Sequence, residues 1–318
     1  MTVVASLDLR GAGGEPVDLR RTLLSHGVAE LPPVRVDAAA GAARITLATT
    51  GGPRTVLVAP EEGRAVVTAL DRGPRPTAAQ SAEIAAVVRR MLRLDDDLSL
   101  FYARCAGDPG LEWARRGAGR LLRSPTVFED VVKTVCTTNC AWSATERMVA
   151  ALVRELGEPA PGATAGEVAG HAFPTPHAMA SAGADFYREE ARAGYRGAYL
   201  RAIAAQVDGG ELDLEELLTR PRSALPDDEV ERRLLALPGV GPYAAAHVML
   251  LLGRHSRLVL DSWTRPRYAL LSGRPGGRLV ADRTIARRFR RYGDDAGLAF
   301  WLVLTRDWVD DETPPVRR

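Results

Sequence analysis

Residues 234–268 read LLALPGVGPYAAAHVMLLLGRHSRLVLDSWTRPRY. A tight turn, Leu237-Pro238-Gly239-Val240-Gly241-Pro242, sits between two apolar runs of helical character. Gly239 and Gly241 let the backbone turn sharply and leave no side chain between it and a partner. Pro242 and Tyr243 open the second helix, where proline is well tolerated. The free N–H groups at a helix start form a ready anion site, suited to a phosphate. One carboxylate, Asp261, follows 18 residues after Tyr243. The stretch predicts a backbone clamp for phosphate with an acid placed after the next helix.

LPGVGPYAAAHV followed by VLDSW resembles the helix-hairpin-helix superfamily of base-excision DNA glycosylases. In that family the hairpin grips the DNA backbone, a role the resemblance gives to Gly239, Val240, Gly241 and Tyr243. The later acid is the family's catalytic carboxylate, which corresponds to Asp261. Lyase-active members carry lysine two residues after the second hairpin glycine. Here that position is Tyr243, which the resemblance also places near the extruded base. It therefore implies base removal without strand cleavage. Relatives hold a monovalent cation with hairpin carbonyls, and the matching residues are Leu237 and Val240.

Composition sets the outer limits. The chain has 318 residues, 46% hydrophobic and 26% charged, enough for a large core and two or three domains. No apolar run approaches the ~20 residues that span a bilayer. The N-terminal MTVVASLDLRGAGG has no basic region followed by an apolar core, so the expectation is a cytoplasmic protein without membrane association. The formal charge of +2 is uninformative, but its distribution is not. Residues 254–291 concentrate arginine around Asp261, including Arg254, Arg257, Arg265, Arg267, Arg274 and Arg278, and then Arg283, Arg287, Arg288, Arg290 and Arg291. Such a segment is expected to meet phosphates.

Lys133 is the only lysine. A Schiff-base lyase needs an amine that can lose its proton, and arginine cannot serve. Three cysteines, Cys105, Cys136 and Cys140, do not suggest a disulfide framework, and the five histidines are scattered without metal-ligand pairing. Some members of the superfamily carry a C-terminal iron–sulfur cluster on four cysteines. No cysteine follows Cys140, so neither that cluster nor a metal site is expected.

Residues 1–80 read as an antiparallel β-rich subdomain, with strands at 35–37, 43–49 and 55–59 and a Gly51-Gly52-Pro53 turn. Residues 81–318 read as a helical domain of two lobes, with the helix-hairpin-helix at about 228–252. Helices are expected from Thr77 to Leu92, from Asp96, over 111–122, and from Ser124 to Cys136. The tail at 312–315 is expected to fray.

A second motif, FEDVVKTVCTTNCAWSATERMV, resembles the family's segment in which a helix ends in a polar loop that enters the DNA. Asn139 matches the amide that fills the gap left by the extruded base, and Cys140 the neighbouring wedge position. A short amide can fill the hole and hydrogen-bond the orphaned partner. Trp142 is assigned to the core. Gly194-Tyr195-Arg196 resembles the family's stretch that supports the interface between the lobes. In the 8-oxoguanine branch the last apolar helix lines the base pocket, and there the alignment places Phe300 and Trp301. An aromatic wall suits stacking on an electron-poor, alkylated base.

The expected fold is α+β, mainly α: an N-terminal antiparallel sheet and two helical lobes with a cleft between them. The expected function is a monomeric, monofunctional DNA glycosylase. It would act on double-stranded DNA with a damaged, alkylated purine and use Asp261. Two alternatives stand beside it, an 8-oxoguanine-type glycosylase and a non-catalytic protein that binds DNA structure.

Overall fold

The computed structural model describes residues 1–273 and 279–309. Arg274, Arg278 and the tail at 312–315 lie outside the described residues. The N-terminal part is one antiparallel sheet of five strands in the order β1-β5-β4-β3-β2. These are β1 (Thr2–Asp8), β2 (Val34–Asp37), β3 (Ala42–Leu47), β4 (Arg54–Glu61) and β5 (Arg64–Ala69). The expected hairpin is β3 on β4, with Ile45 opposite Val56. β1 and β5 were not among the strands read from sequence. β5 follows a turn in which Glu62 and Gly63 both take positive φ, and it returns along β4 with Arg64 opposite Glu61.

The sheet buries Ile45, Val56, Val58 and Val67 against helix α1 (Leu19–Leu23) and helix α2 (Ala78–Met91). α2 presents Ile84, Val88 and Met91 to this core, a helical spacing of apolar residues. Its N-cap is Thr77, whose side chain accepts from Gln80 N–H.

Two further cores hold the helical part. The first gathers α4 (Val127–Cys136), α5 (Trp142–Leu156), α6 (Pro176–Ser181), α7 (Arg196–Asp208), α8 (Glu216–Thr219) and α9 (Asp227–Leu235). The second gathers α3 (Ser99–Cys105), α11 (Thr264–Leu271), α12 (Asp282–Phe289) and α13 (Ala296–Thr305). Helix α10 (Pro242–Leu251) belongs to both. Ala244, Ala245, Val248 and Met249 face the first core, and Ala246, Leu250 and Leu251 the second. A helix apolar on every face must be buried on every face, and α10 is the wall the two lobes share.

The helix expected over 111–122 is instead a short 3-10 turn, Glu112–Arg116, followed by extended chain. Gly117 and Gly119 take φ of 120° and 116°, which ends any helix. A side chain at Gly117 would stand 2.5 Å from the Asp18 backbone nitrogen, so the chain crosses α1's N-terminus too closely to carry one.

Candidate active site

The hairpin forms as the sequence dictates. α9 opens on Asp227, Asp228 and Glu229, acids that favour a helix N-terminus. It ends in a turn closed by Val240 N–H on Leu237 O, 3.2 Å. Gly239 takes φ of 79°, and the Tyr199 ring lies so near that a β-carbon there would stand 2.6 Å from it. Gly241 caps α10 with Pro242 at its first position. Open space lies where a Gly241 side chain would be. Among the described residues, the N–H groups of Gly239, Gly241, Tyr243 and Ala244 find no backbone acceptor.

Asp261 lies just before α11 and is half-buried. Its Oδ1 accepts from Trp263 N–H at 2.8 Å and Thr264 N–H at 2.6 Å, and Thr264 Oγ1 accepts from Asp261 N–H at 2.8 Å. One carboxylate oxygen is thus fixed by two backbone donors, in the reciprocal manner of a helix-capping box. Asp261 is close enough to Tyr243 and His247 to act electrostatically on both, raising the Tyr243 phenol and favouring protonated His247. In each case burial is the larger influence, lifting the phenol and driving the imidazole down to about 4.

Tyr243 stands between the lobes and packs against both helical cores. Its hydroxyl is 3.2 Å from Thr137 Oγ1, and Thr137 already donates to Thr134 O at 2.6 Å, so Tyr243 is the donor. From Tyr243 a line of rings runs along the wall. Tyr243 to His247 is 6.1 Å, His247 to Trp301 is 6.3 Å, and Trp301 to Trp263 is 5.9 Å. Trp308 closes the group 5.4 Å from Trp263.

The expectation for Phe300 is corrected. It is 0% exposed, and its ring is enclosed by Tyr268 at 5.8 Å and Phe289 at 5.3 Å. It is a core residue of the second lobe. Trp301, the next residue, turns the other way and carries the aromatic face towards His247 and Trp263.

The loop after α4 places Asn139 exposed, at φ of 48°. Its Nδ2 donates to Tyr195 Oη at 3.4 Å. Arg196 donates through Nε to Thr138 O at 2.8 Å and stacks on Tyr195 at 4.6 Å, tying the loop to α7. Cys140 turns inward. Its Sγ donates to Cys136 O at 3.2 Å and meets Thr145 Oγ1 at 3.4 Å, so its side chain is not presented as a wedge. Tyr195 is 53% exposed beside Asn139, a surface aromatic that the reading as an interface support did not anticipate. Trp142, assigned to the core, is 41% exposed, with its indole N–H on Glu146.

The basic segment is largely spoken for. Arg254 donates to Leu225 O and Asp227, Arg257 pairs with Asp228 and Glu231, and Arg265 with Asp282. Arg267 pairs with Asp307 and Arg291 with Asp108. Arg283, Arg287 and Arg290 are exposed and have no ion pair among the described residues. Lys133 is 1% exposed, held by Glu129 at 2.6 Å and Leu31 O at 3.2 Å.

Sequence reasoning missed a contribution from the N-terminal part. Ser25 O accepts from Trp301 Nε1 at 2.9 Å. His26 sits edge-on to His247 at 5.4 Å, and its Nε2 is 2.6 Å from Leu122 O. A Ser-His-Gly turn carries no signal of this kind, because its partners lie about a hundred residues or more away. Among the described residues no cluster of three or more His, Cys, Asp or Glu could hold a metal, and no helix is long and apolar enough to cross a membrane.

No family model and no curated protein matches the sequence. Solved structures do match. The 3-methyladenine DNA glycosylase from Archaeoglobus fulgidus superposes with a TM-score of 0.70 at 21% identity, over 95% of this chain and 97% of that one. MBOgg1 in complex with a low-affinity DNA ligand gives 0.68 at 20% identity, over 92% of each chain. The Clostridium acetobutylicum 8-oxoguanine glycosylase/lyase, bound to double-stranded DNA with cytosine opposite 8-oxoguanine, gives 0.61 at 21%, over 82% and 87%. The chain has the fold these proteins share, an antiparallel sheet beside two helical lobes.

Proposed function

We propose that this protein is a monofunctional DNA glycosylase of base excision repair. It would extrude a damaged purine, an alkylated one, and hydrolyse its N-glycosidic bond with Asp261. The observation that carries the reading is the Asp261 carboxylate itself, with one oxygen fixed by two backbone donors at the start of α11, beside a run of aromatic rings. A fold shared with DNA glycosylases along almost the whole chain supports it.

The hairpin N–H groups would hold backbone phosphates without regard to sequence, giving binding that weakens steeply with salt. Hairpin carbonyls, Leu237 and Val240 among them, are the candidates for a monovalent cation. Asn139 would enter the space left by the extruded nucleotide, with Tyr195 at its side. As the bond from C1′ to the base lengthens, the base leaves with the electron pair and positive charge develops on the sugar. Asp261 stabilises that charge. Water adds at C1′, and its proton passes through the carboxylate to solvent. The aromatic run from Tyr243 to Trp301 favours an electron-poor alkylated base. An amine for imine chemistry is not at hand, since Lys133 is buried against Glu129.

The test incubates wild type and Asp261→Asn with duplexes bearing an alkylated purine, 8-oxoguanine, uracil or an adenine mispair, with and without hot alkali. Strand breaks only after alkali, lost in the variant, are expected, with the alkylated purine the substrate. Release of 8-oxoguanine alone would assign the protein to that branch, and breaks without alkali would overturn the monofunctional reading. Binding without release from any lesion would leave a DNA-structure-binding protein.

A further inference from the structure

His247 is the buried polar group on the shared helix that the chemistry above does not use. It is 3% exposed and lies one helical turn beyond Tyr243. Its Nδ1 is 3.3 Å from Thr134 Oγ1. Thr134 spends its one hydroxyl proton on Asp130 O, at 2.7 Å, so its oxygen accepts and Nδ1 carries the hydrogen. The neutral ring therefore has its lone pair on Nε2. Among the described residues Nε2 has no hydrogen-bond partner, yet it is not among the side-chain atoms sealed from solvent, so it stays open to a donor from outside the fold. The two ring nitrogens of an imidazole point well away from each other. With Nδ1 turned to α4, Nε2 lies at the end of the ring away from the α10 backbone, on an imidazole bordered by Tyr243 and Trp301.

An acceptor that the fold leaves unmatched and open is free to take a hydrogen from a ligand. His26 behind the ring and Tyr243 and Trp301 beside it hold the imidazole in place. His26 is itself turned by Leu122 O, so it offers His247 no hydrogen bond on that nitrogen.

We propose that His247 is a specificity-determining residue, its Nε2 accepting a hydrogen bond from an N–H on the extruded base, the exocyclic amine of an alkylated adenine. The inference rests on the glycosylase reading and deepens it. Rings of the Tyr243–Trp301 wall stack on any flat base, whereas a directed acceptor distinguishes bases by what they donate. A site built to hydrogen-bond a substrate N–H discriminates strongly against an analogue without one, because its own buried polar group is then left unpaired.

Two variants test it. His247→Asn keeps an amide near the Nδ1 position for Thr134 but falls short of Nε2. His247→Gln reaches the Nε2 position with a carbonyl oxygen. Single-turnover release is measured on duplexes with 3-methyladenine, which bears the amine, and 1,N6-ethenoadenine, whose N6 carries no hydrogen. Thermal unfolding is followed in parallel. The expected result is a roughly tenfold slower release of 3-methyladenine by His247→Asn, substantially recovered in His247→Gln. Release of ethenoadenine, where wild type achieves any, should stay within about twofold in both. Equal losses in the two variants, or equal losses on the two bases, would mark His247 as a packing residue and overturn the inference. Wild-type release of other lesions but not of 3-methyladenine would overturn it too. Wild type that releases no base from any lesion would instead remove the glycosylase reading beneath it.

Discussion

Lys133→Met probes how the first lobe is built and whether its lone amine takes part in chemistry. Lys133 Nζ lies 2.6 Å from Glu129 Oε1 and 3.2 Å from Leu31 O, with both side chains almost wholly buried. Burial pushes the Glu129 carboxyl above its ordinary 4.5, and Lys133 opposes that rise. Methionine fills similar volume without charge, so the variant strands a carboxylate away from water. Its cheapest escape is to take a proton. At about 1.36 kcal/mol per pH unit, protonating a group of ordinary value 4.5 at pH 7 costs roughly 3.4 kcal/mol, a ceiling on the electrostatic penalty. The lost hydrogen bond to Leu31 O adds about 1 kcal/mol. A total near 4 kcal/mol agrees with the 3–5 kcal/mol typical when one partner of a buried pair is removed.

The penalty depends on pH in a definite direction. A carboxyl whose folded-state pKa lies above its unfolded value is most favourable to folding below the unfolded value, and that contribution is lost as pH rises. At pH 5.5 the ceiling falls to roughly 1.4 kcal/mol. Asp130, pushed up to about 7 by burial and held down in part by Lys133, shifts in the same sense. Urea unfolding at the two pH values should show the variant destabilised by about 4 kcal/mol at pH 7 and about 2 kcal/mol at pH 5.5. Glu129→Gln combined with Lys133→Met should remove most of that difference. A loss under about 1 kcal/mol at pH 7, or equal losses at both, would refute the reasoning. Base release should survive wherever circular dichroism shows the variant folded. Its disappearance in the folded variant would place the amine in the chemistry.

Two further outcomes follow from local geometry. Gly239→Ala forces a β-carbon to a φ of 79° and to 2.6 Å from the Tyr199 ring. Stability should fall by about 1–2 kcal/mol as Tyr199 swings out, and fluorescence anisotropy should show DNA affinity several-fold weaker, so unchanged affinity would count against the hairpin as the clamp. Burial drives His26 to about 3 and His247 to about 4, both below the ordinary 6.5. Below pH 6.5 the unfolded chain takes up protons that the folded chain refuses, so stability present above 6.5 should be lost as pH falls towards 4. Unfolding midpoints from pH 7.5 to 4.5 should drop more steeply in wild type than in His26→Gln, and parallel curves would show that His26 is not buried neutral.

What the sequence made legible was local. The hairpin needs two glycines and a proline at fixed offsets, and α4 needs Thr126 as its cap with Glu129 and Asp130 in its first turn. Each is a property of a few consecutive residues. The phase of α13 was not legible. An all-apolar run such as Leu298–Leu304 has no polar face to mark its outside, so the choice between Phe300 and Trp301 as the residue facing Asp261's side could not be made from spacing. The course of the chain after Glu112–Arg116 depended on how closely it crosses Asp18, and the place of Ser25 and His26 depended on residues brought near only by folding.

In the proposed reaction Asp261 would be a capping residue and a reacting residue at once. A carboxylate free to rotate would meet a developing cation at the expense of conformational entropy, at the moment of reaction. Here two backbone donors fix Oδ1, and Thr264 Oγ1 fixes the Asp261 backbone in return. The fold itself thus positions the carboxylate, and Oδ2 has no hydrogen bond among the described residues. The same preorganisation extends outward. Trp263, whose N–H is one of the two donors, packs on Trp301, and Trp301 is held by Ser25 O from the N-terminal part. The N-terminal part thus reaches the carboxylate through two indoles and one helix start.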